Sequence, residues 1–381
     1  MDLNRALTFW MPTKIVSGPG SSSQVGAEAM ALGAQRVLLV TDKGVRAAGV
    51  AQPAEDSLKE KGLEYAIFDD VPVDPDTLAV DKGTAFARDF QPDLVVTVGG
   101  GSPICLAKGV ALLMTNGGSL HDHPGVGRHT QPPLPLIAVP TTAGSGSDVS
   151  AKFIITNERD HFKMTWGGSD CFPMVAILDA ELLLSLPYWP AIYASLDAIS
   201  HAVDGYLSKG DTPVTDALAL KAIEVLRWDM IPAASTDQLL AKQQALLASA
   251  MANIACGMAG LGLIHGLTLW CSSIPHGLAC ALTMPHVLAF NLPARPEKVA
   301  PLARALGGDG RESIEEVVAL LTHLYRQAGV PKKMPEGQVP SLEEMVEVTL
   351  KHGQRLLSMN YRRASRDDIE TLLRQVWEGW A

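Results

Sequence analysis

In the first half of the chain, apolar residues come in short blocks separated by helical stretches. RVLLVT at 36–41 is almost wholly apolar, the pattern of a strand covered on both faces. A helical stretch follows to about Lys61. EYAIFD at 64–69 reads as a strand, TLAVDKGTAFARDF at 77–90 as a helix, and DLVVTVGGG at 93–101 as a strand running into a glycine loop. SPICLAKGVALLM at 102–114 reads as a helix and LPLIAVP at 134–140 as a strand. This alternation predicts a parallel α/β sheet. FIIT at 153–156, HFKMTW at 161–166 and MVAILD at 174–179 predict further strands.

Beyond LPYWP at 186–190 the strand signals nearly vanish. The periodicity predicts helices over 190–208, 214–230, 236–260, 277–290, 311–328, 341–358 and 366–378. Pro187 and Pro190 mark the change. The expected organisation is an α/β domain over residues 1–185 followed by an all-helical domain over 186–381. From Gln243 to Ala294 there is no Asp, Glu, Lys or Arg. Asn253, Gly257, Gly260, Gly262, His265, Pro275 and His276 interrupt that stretch, so buried helices lining a site describe it better than a membrane span.

Composition agrees. At roughly 150 residues per domain, 381 residues make two domains. A hydrophobic share of 47% against 19% charged excludes global disorder. Lys and Arg number 31 against 41 Asp and Glu, a net charge of −10 with no basic cluster, which argues against nucleic acid and anionic membranes as partners. Cysteines stand at 105, 171, 256, 271 and 280 without a C-x-x-C pair, against both a disulfide framework and a zinc ribbon. Reduced, buried thiols and the lack of an apolar segment in MDLNRALTFWMPTK predict a cytoplasmic protein.

Four constellations carry chemistry. Gly99-Gly100-Gly101-Ser102 lies between a strand and a helix, where backbone N–H groups can cradle a diphosphate or simply make a tight turn. It is neither G-x-G-x-x-G nor a Walker loop. Pro140 to Asp148, PTTAGSGSD, follows another strand with hydroxyls suited to phosphate, ribose or nicotinamide. Asp42 stands just past RVLLVT, where a carboxylate can accept from an adenosine ribose or cap the next helix. Asp197 and His201 share a helix face at i, i+4, and His265 and His276 follow in the charge-free stretch. Singly each histidine reads as a core residue; together they can form a four-ligand divalent metal site suited to Fe, Zn, Cu or Ni.

VTDKGV (40–45), VVTVGGGSP (95–103), LPLIAVPTTAGSGSDVS (134–150), DAISHAVDGYLS (197–208), GLGLIHG (260–266) and IPHGLACALTMPHV (274–287) together resemble the iron-containing (group III) alcohol dehydrogenases. The resemblance covers most of the chain to about residue 295. It implies a dehydroquinate synthase-like fold, with a Rossmann-like dinucleotide-binding α/β domain and an all-α metal-binding domain. It further implies metal ligation by Asp197, His201, His265 and His276, with catalysis centred on that metal and on His265 and His276. Gly99, Gly100, Gly101 and Ser102 would hold the diphosphate, Thr141, Thr142 and Ser147 would line the cofactor site, and Lys163 and Leu182 would lie near the adenosine. Asp42 matches the position that goes with NAD preference. The implied activity is hydride transfer between NAD and a small alcohol or aldehyde, with Fe(II), or alternatively Zn(II), in a homodimer.

The chain departs from the family pattern. Leu269 stands where many members place a second histidine near the nicotinamide, and the segment LTLWCSSI before Pro275 is about three residues shorter than usual. Cys105 replaces a usual aspartate, and the frequent G-T-G-S-E becomes Gly144-Ser145-Gly146-Ser147-Asp148. Alternatives are a glycerol-type polyol dehydrogenase or other reductase on the same fold, and a non-catalytic NAD-binding protein. A dehydroquinate synthase-like lyase would need a phosphate-binding Lys/Arg cluster, which the helical half lacks. The apolar 243–294 stretch favours a small or uncharged substrate.

Overall fold

The computed structural model describes residues 8–159, 162–235, 237–270, 274–335 and 340–380. The chain divides into two compact units, one formed by residues 11–186 and the other mainly by 187–381.

The first unit runs β1 (Lys14–Ser17), α1 (Val25–Ala31), β2 (Arg36–Val40), α2 (Lys43–Ala47), α3 (Gln52–Glu60), β3 (Glu64–Phe68) and α4 (Thr77–Phe90). It continues with β4 (Leu94–Gly99), α5 (Gly101–Asn116), β5 (Leu136–Pro140), β6 (Lys152–Asn157), β7 (Phe162–Gly167) and β8 (Val175–Leu178). Six strands form one parallel sheet in the order β1-β8-β5-β4-β2-β3. The strand blocks are apolar throughout because helices cover both faces: β4 and β5 are buried along their whole length. β6 and β7 do not join that sheet but pair antiparallel with each other. His161, expected to start β7, lies outside the described residues.

From β2 the chain steps outward to β3, then returns to the other side of β2 as β4 and continues to β5 and β8. The switch point is therefore between β2 and β4, and ligands of open α/β sheets bind outside the carboxyl ends of such strands. Asp42 follows β2 there, and Gly99–Ser102 ends β4 and opens α5.

Two expected helices are each divided in the structure, and one strand was not expected. The helical stretch to Lys61 breaks into α2 and α3 at Gly49, whose φ of +72° disfavours other residues. β1 passed unnoticed because it is a four-residue edge strand. In the second unit, the helix expected over 341–358 is divided at Gly353 into α13 (Leu342–His352) and α14 (Gln354–Met359).

The second unit also contains α6 (Tyr188–Tyr206), α7 (Pro213–Ala234), α8 (Leu239–Ala259), α9 (Leu263–Gly266) and α10 (His276–Asn291). α11 (Pro296–Ala305), α12 (Ile314–Ala328) and α15 (Arg366–Glu378) complete it. α11 was hidden by its two prolines, Pro296 at the tolerated first position and Pro301 inside. The segment His276–Ala294 is long and apolar enough to cross a bilayer, but 78% of it is buried in this unit, as expected of a core helix. Arg295 and Lys298 are buried against the Asp211 carboxylate, at 2.8 and 2.9 Å, and Lys298 also meets Asp216. Cys105, Cys171, Cys256 and Cys280 are buried, while Cys271 lies outside the described residues.

His286 on α10 has a buried Nε2 without a hydrogen-bond partner among the described residues, and burial pushes its pKa down to about 4. An unfolded chain takes up this proton below its ordinary value of 6.5. The neutral imidazole therefore favours the folded state above pH 6.5, and that contribution is lost as pH falls through 4. Denaturant titrations of wild type and His286→Leu from pH 7 to 4 should differ in slope, the wild type losing up to about 3 kcal/mol more. Parallel curves would show that His286 carries no such linkage.

Candidate metal centre and cofactor loops

Asp197, His201 and Asp204 lie at i, i+4 and i+7 on α6 and so share one face of that helix. His265 belongs to the four-residue α9, and His276 opens α10. Asp204 ties these elements together. Its carboxylate accepts from the backbone N–H groups of Ile264 and His265, each at 3.2 Å, satisfying part of the first turn of α9. It also accepts from His265 Nδ1 at 2.8 Å. With Nδ1 donating, His265 presents Nε2 as the nitrogen that can offer a lone pair.

Asp197 Oδ1 is the meeting point. His276 Nε2 lies 3.5 Å away, His265 Nε2 3.8 Å and His201 Nε2 4.0 Å. These separations are too long for good hydrogen bonds. Donors about 2.1 Å from a tetrahedral ion stand roughly 3.4 Å apart, close to this spacing. The rings of His201 and His265 stack at 4.7 Å, and that of His276 is tilted 5.5 Å from His265. Asp197 and His265 are 9% and 7% exposed, yet Asp197 Oδ1 and His265 Nε2 have no hydrogen-bond partner among the described residues. Two buried orphan atoms aimed at one point fit a bound cation. Burial alone would raise the Asp197 carboxyl, but the surrounding imidazoles outweigh it and hold the group well below the usual carboxylate range. Burial would likewise lower His265, but the Asp197 and Asp204 carboxylates raise it to about 9.

The four donors were expected from the sequence; Asp204 and Cys280, whose Sγ lies 3.6 Å from His276 Nε2, were not. The i+7 and i+4 spacings to Asp197 and His276 were the available signals. Leu269 is half-buried and close to Gly353, where an added Cβ would stand 3.3 Å from its Cδ1. Residues 271–273 of the shortened segment lie outside the described residues.

Gly277 explains how α10 reaches α6. A Cβ there would stand 1.8 Å from the Tyr193 carbonyl oxygen, so only glycine permits this approach.

In the α/β unit the two glycine-rich loops meet. Thr141 N–H donates to the Gly99 carbonyl at 3.0 Å. A Cβ on Gly99 would stand 2.5 Å from Pro103 Cγ, and one on Gly101 would stand 3.2 Å from Ser145 Oγ. The N–H groups at the start of α5 are free to face an anion, as at other helix N-termini. Ser102 Oγ accepts from Asp74 N–H at 3.1 Å, and Asp74 pairs with Lys163 at 2.9 Å. Thr141, Ser147 and Leu182 are buried and Thr142 is half-buried. Asp42 caps α2, its Oδ1 accepting from Val45 N–H at 2.9 Å.

Lys108, not expected from the sequence, supports the second of these loops. Its buried Nζ donates to the carbonyls of Ser147 and Ser150 at 2.6 and 2.5 Å. Burial pushes Lys108 down to about 8 and Asp148 up to about 6. Cys105 is a packed helix residue, with Sγ 3.8 Å from Ser147 Oγ.

Residues 12–180 match the family model for iron-containing alcohol dehydrogenase, and 191–377 match that for the C-terminal region of the Fe-containing alcohol dehydrogenase family. The chain is 34% identical to a 1,3-propanediol dehydrogenase of Klebsiella pneumoniae, over 98% of this chain and 99% of that protein. It is 32% identical to an NAD-dependent methanol dehydrogenase of Bacillus methanolicus, over 97% and 99%. A solved structure of 1,3-propanediol oxidoreductase superposes with a TM-score of 0.92 at 34% identity, over 98% of this chain and all of that one.

Gly277→Ala should push α10 from α6 and separate His276 from Asp197. We expect a loss of about 1–3 kcal/mol of stability and weaker metal retention on elemental analysis. Unchanged stability and metal content would mean that the close approach is unnecessary.

Proposed function

Since the chain belongs to the iron-containing alcohol dehydrogenase family, a family of oxidoreductases, we propose that it is an NAD-dependent, Fe(II)-dependent enzyme moving hydride between nicotinamide and a small alcohol or aldehyde. The observation that carries this reading is the convergence of Asp197, His201, His265 and His276, with two buried orphan donor atoms at its centre. These four residues would hold the metal, and the same donors accept Zn(II). When bound, the metal supplies a Lewis acid for the substrate oxygen and the nicotinamide supplies the hydride chemistry.

The chain's own residues do the rest. Asp204 orients His265 and fixes its tautomer. Asp197 balances charge against the imidazoles around it. In the α/β unit, Gly99, Gly100, Gly101 and Ser102 would take the diphosphate on the first turn of α5, with Thr141, Thr142 and Ser147 lining the same loops. Lys163 and Leu182 would border the adenosine. Leu269 can neither hold nor pass a proton, so that side chain offers no relay for the alcohol proton. The lack of charged residues in 243–294 favours uncharged substrates. The names of the two relatives, which act on propanediol and methanol, suit short alcohols.

Anaerobically purified protein should contain about one divalent metal per chain and oxidise NADH against an aldehyde panel, with turnover raised by added Fe(II). His265→Ala should lose both metal and turnover. Full metal retention in both His201→Ala and His265→Ala would overturn the ligand assignment.

Asp42 should favour NAD, because its carboxylate accepts from a ribose hydroxyl and repels a 2′-phosphate. Asp42→Ser keeps a helix cap and removes the charge, so it should shift the NAD/NADP ratio of kcat/KM towards NADP by about tenfold or more. A wild type that prefers NADPH would refute this role.

A further inference from the structure

The donors around Asp197 include one that the family-derived ligand set leaves out. Cys280 lies one turn after His276 on α10, on the same helix face. Its Sγ is 3.6 Å from His276 Nε2. That sulfur, one Asp197 oxygen and one nitrogen each from His265 and His276 all lie within 4.8 Å of one another. Cys280 is fully buried, whereas the His276 side chain is 41% exposed, so the thiol forms the inner wall of the cluster. Gly277 pins this turn of α10 against the Tyr193 carbonyl, which limits how far Cys280 can move away. Independently, the orphan Asp197 Oδ1 and His265 Nε2 point to a cation at the same place.

Sulfur changes what such a site prefers. Carboxylate and imidazole accept Fe(II) and Zn(II) alike, while thiolate sulfur favours the softer, thiophilic ions. We infer that Cys280 is a metal-specificity residue, a sulfur donor beside Asp197, His265 and His276 that adds to the four-residue set on the bound ion and raises this centre's preference for Zn(II) over Fe(II). The inference rests on the metal reading above. Coordination releases the thiol proton to solvent and needs no oxidant or reductant.

Co(II) added to the metal-free, full-length chain tests both layers. Ligand-field bands at one equivalent would report the metal site itself. A thiolate-to-cobalt charge-transfer band in the near ultraviolet would report the sulfur. We expect both in the wild type, with the charge-transfer band lost and the ligand-field bands kept in Cys280→Ser, or in Cys280→Ala should serine disturb the core. The band should persist in Cys171→Ser, because Cys171 lies by His129 and Asp170 in a separate donor cluster. With Zn(II) and Fe(II) supplied equally and anaerobically, the bound Zn:Fe ratio should fall about tenfold or more in the Cys280 variant. Ligand-field bands without charge transfer in the wild type would overturn the role of Cys280 and leave the metal reading intact. Loss of the charge-transfer band in Cys171→Ser instead would also overturn it. Failure to bind stoichiometric Co(II) at all would sink the metal reading, and this inference with it.

Discussion

The helical unit's chemistry depends on one buried hydrogen bond, from His265 Nδ1 to Asp204. The same carboxylate accepts from two backbone N–H groups at the start of α9, so it fixes where that short helix begins and how its imidazole turns. A four-residue helix cannot hold itself together in water. It persists here because α6 supplies both its cap and the partner of its histidine. Asp197, two turns earlier on α6, then faces the other ring nitrogen, Nε2. One helix thus provides two donors to the cluster, Asp197 and His201, and the means of aiming a third.

Backbone proximity is the second constraint. His276 reaches Asp197 because Gly277 lets α10 press against the Tyr193 carbonyl. In the α/β unit, Gly99 turns sharply over Pro103 and the Thr141 N–H returns to the Gly99 carbonyl, so two loops distant in sequence share one end of the sheet. Lys108 then holds the second loop through its carbonyls rather than through any side chain. A buried ammonium bonded to main-chain oxygens constrains the path of the loop and leaves its side chains free to differ.

Much of this was legible in the sequence. The strand blocks of the α/β half are apolar throughout and alternate with helical stretches, the pattern of a doubly covered parallel sheet. The pairing of Asp197 with His201 followed from helical spacing, and the charge-free stretch drew attention to His265 and His276. Other features could not be read. β1 is too short to carry a periodicity, and α11 contains the residue that ordinarily ends a helix. Asp204 looks like any polar residue on a helix until α9 is seen folded against it. Cys280 reads as packing, since nothing in its neighbours distinguishes a core thiol from one that faces three donors. Lys108 and Asp74 act through contacts with distant segments, and a single sequence does not encode such contacts locally.

The pairing of β1 with β8 also bears on how the chain is made. Lys14 leaves the ribosome well before its partner Val175, which emerges only near the end of the α/β unit. Non-local parallel pairing of this kind closes a long loop and is slow. During synthesis β8 has no partner on its outer side until β1 docks, and an unpaired strand edge can recruit another chain. Completion of the sheet is therefore post-nucleation work. The central strands β2, β4 and β5 can assemble as they appear, while β1, made before them, waits for β8.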